Sequence, residues 1–287
     1  MVTRMDGKVI LLTGATSGIG RQAAQALAPA GGRLVLVGRD RARTDALVGE
    51  LRAHNPDVHG LVADLSSHAE IRRLAGEFLA RHDRLDVLIN NAGALFTTRE
   101  ETVDGVERTF ALNHLAYFHL TTLLLDRLKA TGAVPGQSAR VVSVSSDAHR
   151  RAKMGWDDLE LKRSYPAQGW AAYGQSKLAN ILFTRELARR LDGTRVTANC
   201  LHPGFVDSGF ARNNGLVARV LMTLARPLQR TADKGAETVV WAATSPDLAT
   251  TTGQYFKDCE ARKTTKPAES VTDGLRLWEL SERMIRA

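Results

Sequence analysis

The sequence holds only two cysteines, Cys200 and Cys259, in 287 residues. Their separation matches neither a zinc site nor a redox pair, so reduced thiols in a cytoplasmic protein are the expectation. Histidine offers no metal site either. His54 with His59, and His114 with His119, lie five apart, off the i, i+4 spacing of helical ligation. No stretch approaches the ~20 apolar residues of a spanning helix. The opening Met1–Lys8 is polar and the apolar run Val9–Leu12 is too short for a signal peptide. No Pro/Ser-rich linker divides the chain, and no internal repeat shows. A formal charge of +8 is present, but it is spread over Arg-rich helix faces. Without a compact basic block and interleaved aromatics, nucleic acid is not the expected partner. An acidic small ligand such as a dinucleotide phosphate is the simpler one.

What the chain does have is alternation. At 44% hydrophobic and 24% charged residues it can fill a globular core. Short apolar runs at Lys8–Thr13, Leu34–Val37, Val58–Ala63, Leu85–Ile89, Arg140–Val144, Arg195–Leu201 and Gln254–Phe256 read as buried strands. Helical stretches separate them, among them Arg21–Ala28, Arg41–Ala53, Ala69–Arg81, Val103–Lys129 and Asp233–Thr244. A polar helix starting at Val271 closes the chain. Strands alternating with helices predict an α/β fold, a doubly wound parallel sheet with helices on both faces, in one domain over 1–287. Leu216–Leu228 is apolar with Arg219, Arg226 and Arg230 on it. It reads as a lid within about 204–231, or as a membrane-surface patch.

Three stretches carry the chemistry. The first strand runs into Thr13-Gly14-Ala15-Thr16-Ser17-Gly18-Ile19-Gly20 and then a helix. Glycines there let the backbone turn tightly and approach a pyrophosphate, whose charge faces the helix N-terminus. The spacing G-x-x-x-G-x-G differs from the commoner dinucleotide fingerprint. The second strand ends at Gly38-Arg39-Asp40, where such folds read the adenosine ribose. Arg39 favours a 2′-phosphate, with Gly38 leaving room for it, whereas Asp40 is the natural N-cap of the next helix. NADP(H) is therefore expected over NAD(H). Asp64 closes the third strand, either accepting from an adenine amino group or helping to cap a helix. Asn90-Asn91-Ala92-Gly93 ends the fourth, with small residues at the carboxyl end where ligands bind.

The third stretch is Tyr173-Gly174-Gln175-Ser176-Lys177, which opens a run without Gly or Pro. Tyr173 and Lys177 are four apart and share a helix face. A fixed ammonium beside a phenol stabilises the phenolate and makes the phenol usable as an acid or base. Taken alone, such a pair is more often a packing ring and a snorkelling side chain. Asn113 is polar in an apolar region and suits a backbone bond or a held water.

Together, these motifs resemble the short-chain dehydrogenase/reductase superfamily from Lys8 to Phe256. The glycine turn, Asn90–Gly93, Asn113, Ser145-Ser146, Tyr-x-x-x-Lys and Pro203-Gly204 occur in the family's order. Asn113-His114-Leu115, Ser176–Phe183 and Gly253–Cys259 are most similar to the retinol dehydrogenase-like branch, here in a form without a membrane anchor. The resemblance implies a catalytic tetrad of Asn113, Ser146, Tyr173 and Lys177, with Asn113 holding a water. It implies cofactor contacts from Gly14, Thr16, Ser17, Gly18, Ile19, Gly20, Arg39, Asp64, Leu65, Asn91, Ala92, Gly93, Tyr173, Lys177, Pro203, Gly204, Val206 and Ser208. Ser17 is not the basic residue some NADP-dependent members carry, so Arg39 bears more of the cofactor argument. The implied activity is interconversion of a carbonyl and an alcohol on a bulky apolar substrate, framed by Phe205, Phe210, Leu216 and the Trp156 segment. A non-catalytic NADP(H)-sensing protein on the same fold is the alternative, and a homo-oligomer is compatible with either.

Overall fold

Val9–Thr13 (β1), Arg33–Gly38 (β2), Val58–Val62 (β3), Val87–Asn90 (β4), Ala139–Val144 (β5), Val196–His202 (β6) and Tyr255–Lys257 (β7) pair in parallel. The computed structural model describes residues 2–204 and 232–286. Within them the sheet order is β3-β2-β1-β4-β5-β6-β7-β8. Every predicted strand is present, shifted by a residue or two. One strand was not foreseen: Glu260–Ala261 (β8) pairs antiparallel with β7 after a turn in which Asp258 and Cys259 adopt positive φ. Two residues are too few to leave a hydrophobic pattern, so only the hairpin reveals it.

Successive strand residues face opposite layers, which is why the strands read as continuous apolar runs. Leu11, Val35, Val37 and Val141 pack with Phe78 of α3 (His68–Arg81) and with Leu120 and Leu124 of α5 (Ala116–Ala133). Ile10, Leu12, Leu34 and Leu36 pack with Ala23 and Leu27 of α1 (Gly18–Leu27) and with Val239 of α7 (Ala232–Thr244). Asp40 caps α2 (Arg41–Arg52), accepting from the Arg43 N–H at 2.9 Å. Ser67 caps α3, accepting from the Glu70 N–H.

The predicted helix over 103–129 is corrected by the structure. Helix begins as α4 (Arg108–Phe110), capped by the Glu107 carboxylate, and continues through a π-helical turn, Ala111–Leu115, into α5. Before it, 102–106 form a turn closed by the Thr102 carbonyl and N–H. α6 (Trp170–Arg190) lies against β5 and β6, and α9 (Val271–Met284), after the short α8 (Lys266–Glu269), packs on α6. Strand order reverses between β1 and β4. The carboxyl ends of these two strands therefore open a crevice, the place where ligands bind in such sheets.

Candidate active site

The glycine turn, the Asn90–Gly93 strand end and the Ser145-Ser146 strand end surround one cavity of about 460 Å³. Tyr173, Lys177, Pro203 and Gly204 line it as well. At its floor β1 and β4 are stitched together. Thr13 Oγ1 donates to the Ile89 carbonyl at 3.2 Å and accepts from the N–H groups of Asn91 and Ala92. The Asn91 amide donates to the carbonyls of Thr13 and Gly14 at 2.8 and 3.2 Å. A Cβ on Gly14 would lie 2.7 Å from Ala92 Cα, and one on Gly20 would collide with the Gly14 carbonyl. Only backbone fits there. Ser17 takes the N-cap of α1 but makes no side-chain capping bond, and the first turn carries no acidic residue. The first-turn N–H groups are thus left for an anion.

Thr16, Ser17, Gly18, Ile19, Asp64 and Leu65 line the same cavity, as the sequence led us to expect. Arg39 does too, exposed at the rim beside Asp40. Arg43, one turn into α2, is a lining residue the sequence reasoning missed. The available signal was a basic residue four after Arg39, in the first turn of the helix behind the ribose-reading strand. The room over Gly38 is corrected: a side chain there would collide with Thr44 and Thr16, so glycine serves protein packing. Asp64 Oδ1 accepts from the Ser66 N–H and hydroxyl at 2.9 and 2.6 Å, which orders the turn that leads to the Ser67 cap of α3.

The two serines separate cleanly. Ser145 is 1% exposed and donates its hydroxyl to the Lys177 carbonyl at 2.7 Å. The Ser146 hydroxyl instead shares a hydrogen bond with Tyr173 and accepts from the Ala148 N–H. Tyr173 is 9% exposed, and burial pushes its phenol up to about 12 against the opposing pull of Ser146. Lys177 is 3% exposed, and burial lowers its ammonium to about 7. Its Nζ donates to the Val144 carbonyl at 3.0 Å and lies 5.5 Å from the centre of the Tyr173 ring. Burial thus moves both groups away from their charged forms, and the expected lowering of the Tyr173 phenol is not seen in this structure.

Asn113 sits in the π-helical turn, fully buried. Its amide donates to the Ala94 carbonyl at 2.9 Å and to Ser176 Oγ at 3.1 Å, and its Oδ1 accepts from the Ala94 N–H. Its own carbonyl accepts from the Asn180 amide at 2.9 Å. Both amide protons are spent on protein, so Asn113 braces the 93–95 backbone against α6. A Cβ on Gly93 would lie 3.1 Å from Asn113 Oδ1 and 3.5 Å from Lys177 Nζ, so the three meet at one point.

Several expectations fall elsewhere. Val206 and Ser208, the framing residues Phe205, Phe210 and Leu216, and the stretch 205–231 lie outside the described residues. Trp156 is not in the cavity wall; it packs beneath the Arg276 guanidinium, 4.7 Å away. The apolar wall comes from Phe96, Leu112 and Trp170. His114 bonds Asn180 and Ser281, and burial lowers it to about 4. Among the described residues no His/Cys/Asp/Glu group is arranged to hold a metal ion, and no helix is long and apolar enough to cross a membrane.

Comparison with known proteins agrees with this fold. Residues 8–158 and 161–216 match the short chain dehydrogenase family. Mouse retinol dehydrogenase 12 is 41% identical over 280 residues, covering 97% of this chain and 86% of that protein. An uncharacterized protein from Mycobacterium paratuberculosis superposes with a TM-score of 0.80 at 30% identity, over 100% of this chain and 96% of that one. The Pseudomonas aeruginosa RhlG/NADP active-site complex gives 0.70 at 29% identity, over 88% and 95%. With a family match over most of its length and relatives at about 40% identity, the chain belongs to the short-chain dehydrogenase family.

Proposed function

We propose that this protein is an NADP(H)-dependent oxidoreductase that interconverts a carbonyl and an alcohol on a bulky apolar substrate, with Tyr173 as acid and base. One observation carries the reading. The buried Tyr173–Ser146 hydrogen bond and the Lys177 ammonium lie in the same cavity as a side-chain-free glycine turn and, at its rim, Arg39. The donor set suits a dinucleotide: first-turn N–H groups of α1 for the pyrophosphate, Lys177 for ribose hydroxyls, Arg39 and Arg43 for a 2′-phosphate. When bound, a nicotinamide supplies or accepts the hydride at the carbon of the C–O group.

The chain's own residues do the rest. A carbonyl oxygen facing Tyr173 and Ser146 accepts two hydrogen bonds, and these strengthen as negative charge develops on it. Tyr173 then gives its phenolic proton to that oxygen, completing the alcohol and leaving a phenolate. Burial keeps the phenol protonated through neutral pH, which is the form that reduction requires. The Lys177 ammonium lies close enough to stabilise the phenolate until solvent returns the proton. Asn113 holds the backbone around Gly93 and the Ser176 turn of α6 in register. Phe96, Leu112 and Trp170 give the substrate an apolar wall.

Following NADPH absorbance with a panel of bulky ketones and aldehydes tests the reading. Tyr173→Phe is expected to lower turnover on an active substrate by roughly 10²-fold or more, with folding and NADPH binding retained. A wild-type protein that binds NADPH yet turns over nothing would favour the non-catalytic alternative. A Tyr173→Phe protein with unchanged kcat would remove the acid–base assignment.

A further inference from the structure

Trp170 is 46% exposed, the aromatic among the large hydrophobic side chains that the described residues leave open to solvent. It opens α6, lines the cavity, and stands perpendicular to Tyr173, with ring centres 5.8 Å apart and an interplanar angle of 89°. A large apolar ring left open beside a proton donor is a surface waiting for an apolar partner.

The backbone that delivers this ring is strained. Ala167 and Gln168 have φ of 54° and 50°, and Gly169 follows at 80°. Left-handed backbone at non-glycine residues costs free energy and persists only where the surroundings fix it. Here they do. The Tyr165 hydroxyl lies 3.1 Å from the Phe96 carbonyl, 3.1 Å from Glu107 Oε1 and 2.9 Å from Thr109 Oγ1. Glu107 is itself 1% exposed and held by the N–H groups of Thr109 and Phe110. Any side chain on Gly169 would collide with the Phe96 carbonyl. One clamp thus seats the backbone before Trp170 directly on Phe96, and both rings line the cavity.

We propose that Trp170 is a specificity-determining residue, selecting compounds whose reacting carbon bears a flat, conjugated or aryl group over those bearing a puckered saturated ring of the same skeleton. The inference rests on reading the cavity as a carbonyl/alcohol site. A flat π-system gains ring–ring contact with a fixed indole beyond what burial alone gives, about two- to tenfold in affinity. A saturated ring gains only the burial. The competing account is that Trp170 merely packs on Tyr173 and leaves selectivity unchanged.

Two alcohols of one carbon skeleton separate these accounts: 1-(2-naphthyl)ethanol and 1-(decahydro-2-naphthyl)ethanol. Each is titrated by calorimetry into the protein with saturating NADPH, a cofactor state in which neither alcohol is oxidised. The wild type is expected to bind 1-(2-naphthyl)ethanol roughly two- to tenfold tighter than its saturated counterpart. Trp170→Ala should abolish that ratio, and Trp170→Phe, which keeps a ring, should retain part of it. Circular dichroism and the melting temperature confirm that the variants fold. Equal binding of the two alcohols by the wild type, or the same ratio in wild type and Trp170→Ala, would overturn the proposal, as would failure of both alcohols to bind. Because the readout is binding, an inactive protein that keeps the ratio would sink the oxidoreductase reading alone. An active protein without the ratio would sink this one alone.

Discussion

At the scale of single residues, the site depends on two groups whose charged forms burial disfavours. Lys177 is lowered from 10.5 to about 7 and Tyr173 is raised from 10.0 to about 12. The sign for stability follows from linkage. Between about pH 7 and 10 the unfolded chain keeps Lys177 protonated while the folded one releases its proton, so the unfolded state binds more protons. Lys177 therefore makes stability rise with pH across that window. Above about 10 the raised phenol acts oppositely, because the unfolded chain loses the Tyr173 proton first. Urea midpoints of wild type and Lys177→Met at steps from pH 7 to 10 check this. The difference between them, wild type minus variant, is expected to climb with pH. A flat or falling difference would show that Lys177 stays charged in the unliganded fold, its ammonium paired better than the single Val144 bond implies.

At the scale of elements, α9 holds the helices that carry the site. Trp278 sits against Phe118 of α5 at 4.9 Å and Phe183 of α6 at 6.0 Å, with the Arg190 guanidinium 4.2 Å from its ring centre. Ser281, one turn on, meets His114 in the π-helical turn at 3.0 Å. Trp278→Ala should cost about 3–5 kcal/mol, the range for removing a large buried aromatic. It should lower the urea midpoint without changing the slope. A midpoint within error of wild type would mean that α9 only lies on the surface of α5 and α6. The π-helical turn deserves the same scale of reasoning. One extra residue in that turn aims Asn113 at Ala94 and Ser176 while its carbonyl takes the Asn180 amide. Sequence periodicity, which counts 3.6 residues per turn, reads straight through such a turn.

At the scale of the whole molecule, the proposed dinucleotide accounts for only part of the excess positive charge, and under that proposal cofactor choice is set at one rim of the cavity. Arg39, Asp40 and Arg43 all line that rim. Asp40 is engaged in capping α2, which favours the arginines as readers of the ribose. A ligand present at about 100 times its Kd adds ~2.7 kcal/mol to stability, enough to read as a shift in Tm. NADPH is expected to raise the Tm of the wild type more than NADH at equal concentration. Arg39→Ala should lose much of the NADPH shift, since a charged hydrogen bond is worth ~1.5–3 kcal/mol, and leave the NADH shift alone. Shifts, not absolute Tm values, are compared, because Asp40→Ala loses a helix cap whatever the cofactor. A larger shift with NADH, abolished in Asp40→Ala, would reverse the assignment.

The sequence by itself determined the fold class and the order of strands and helices, and it singled out Tyr173, Lys177 and the glycine turn as candidates. These are local signals: apolar runs, breakers, and residue types at fixed spacing that a strand–turn–helix unit converts directly into geometry. Ser146 over Ser145 came from the family resemblance, and the hydroxyl of Ser145 bonded to the Lys177 carbonyl gives its physical reason. Tertiary structure alone decided the rest. The wall of the cavity moved from Trp156 to Phe96 and Trp170, because residues far apart in sequence become neighbours only when the Tyr165 clamp closes. Arg43 joined Arg39 because α2 turns its first turn toward the cavity. The space over Gly38 went to Thr44 and Thr16, and burial lowered Lys177 to about 7. Spacing states which side chains share a face. How dry that face is, and what else packs against it, is fixed by contacts between segments that no single stretch of sequence contains.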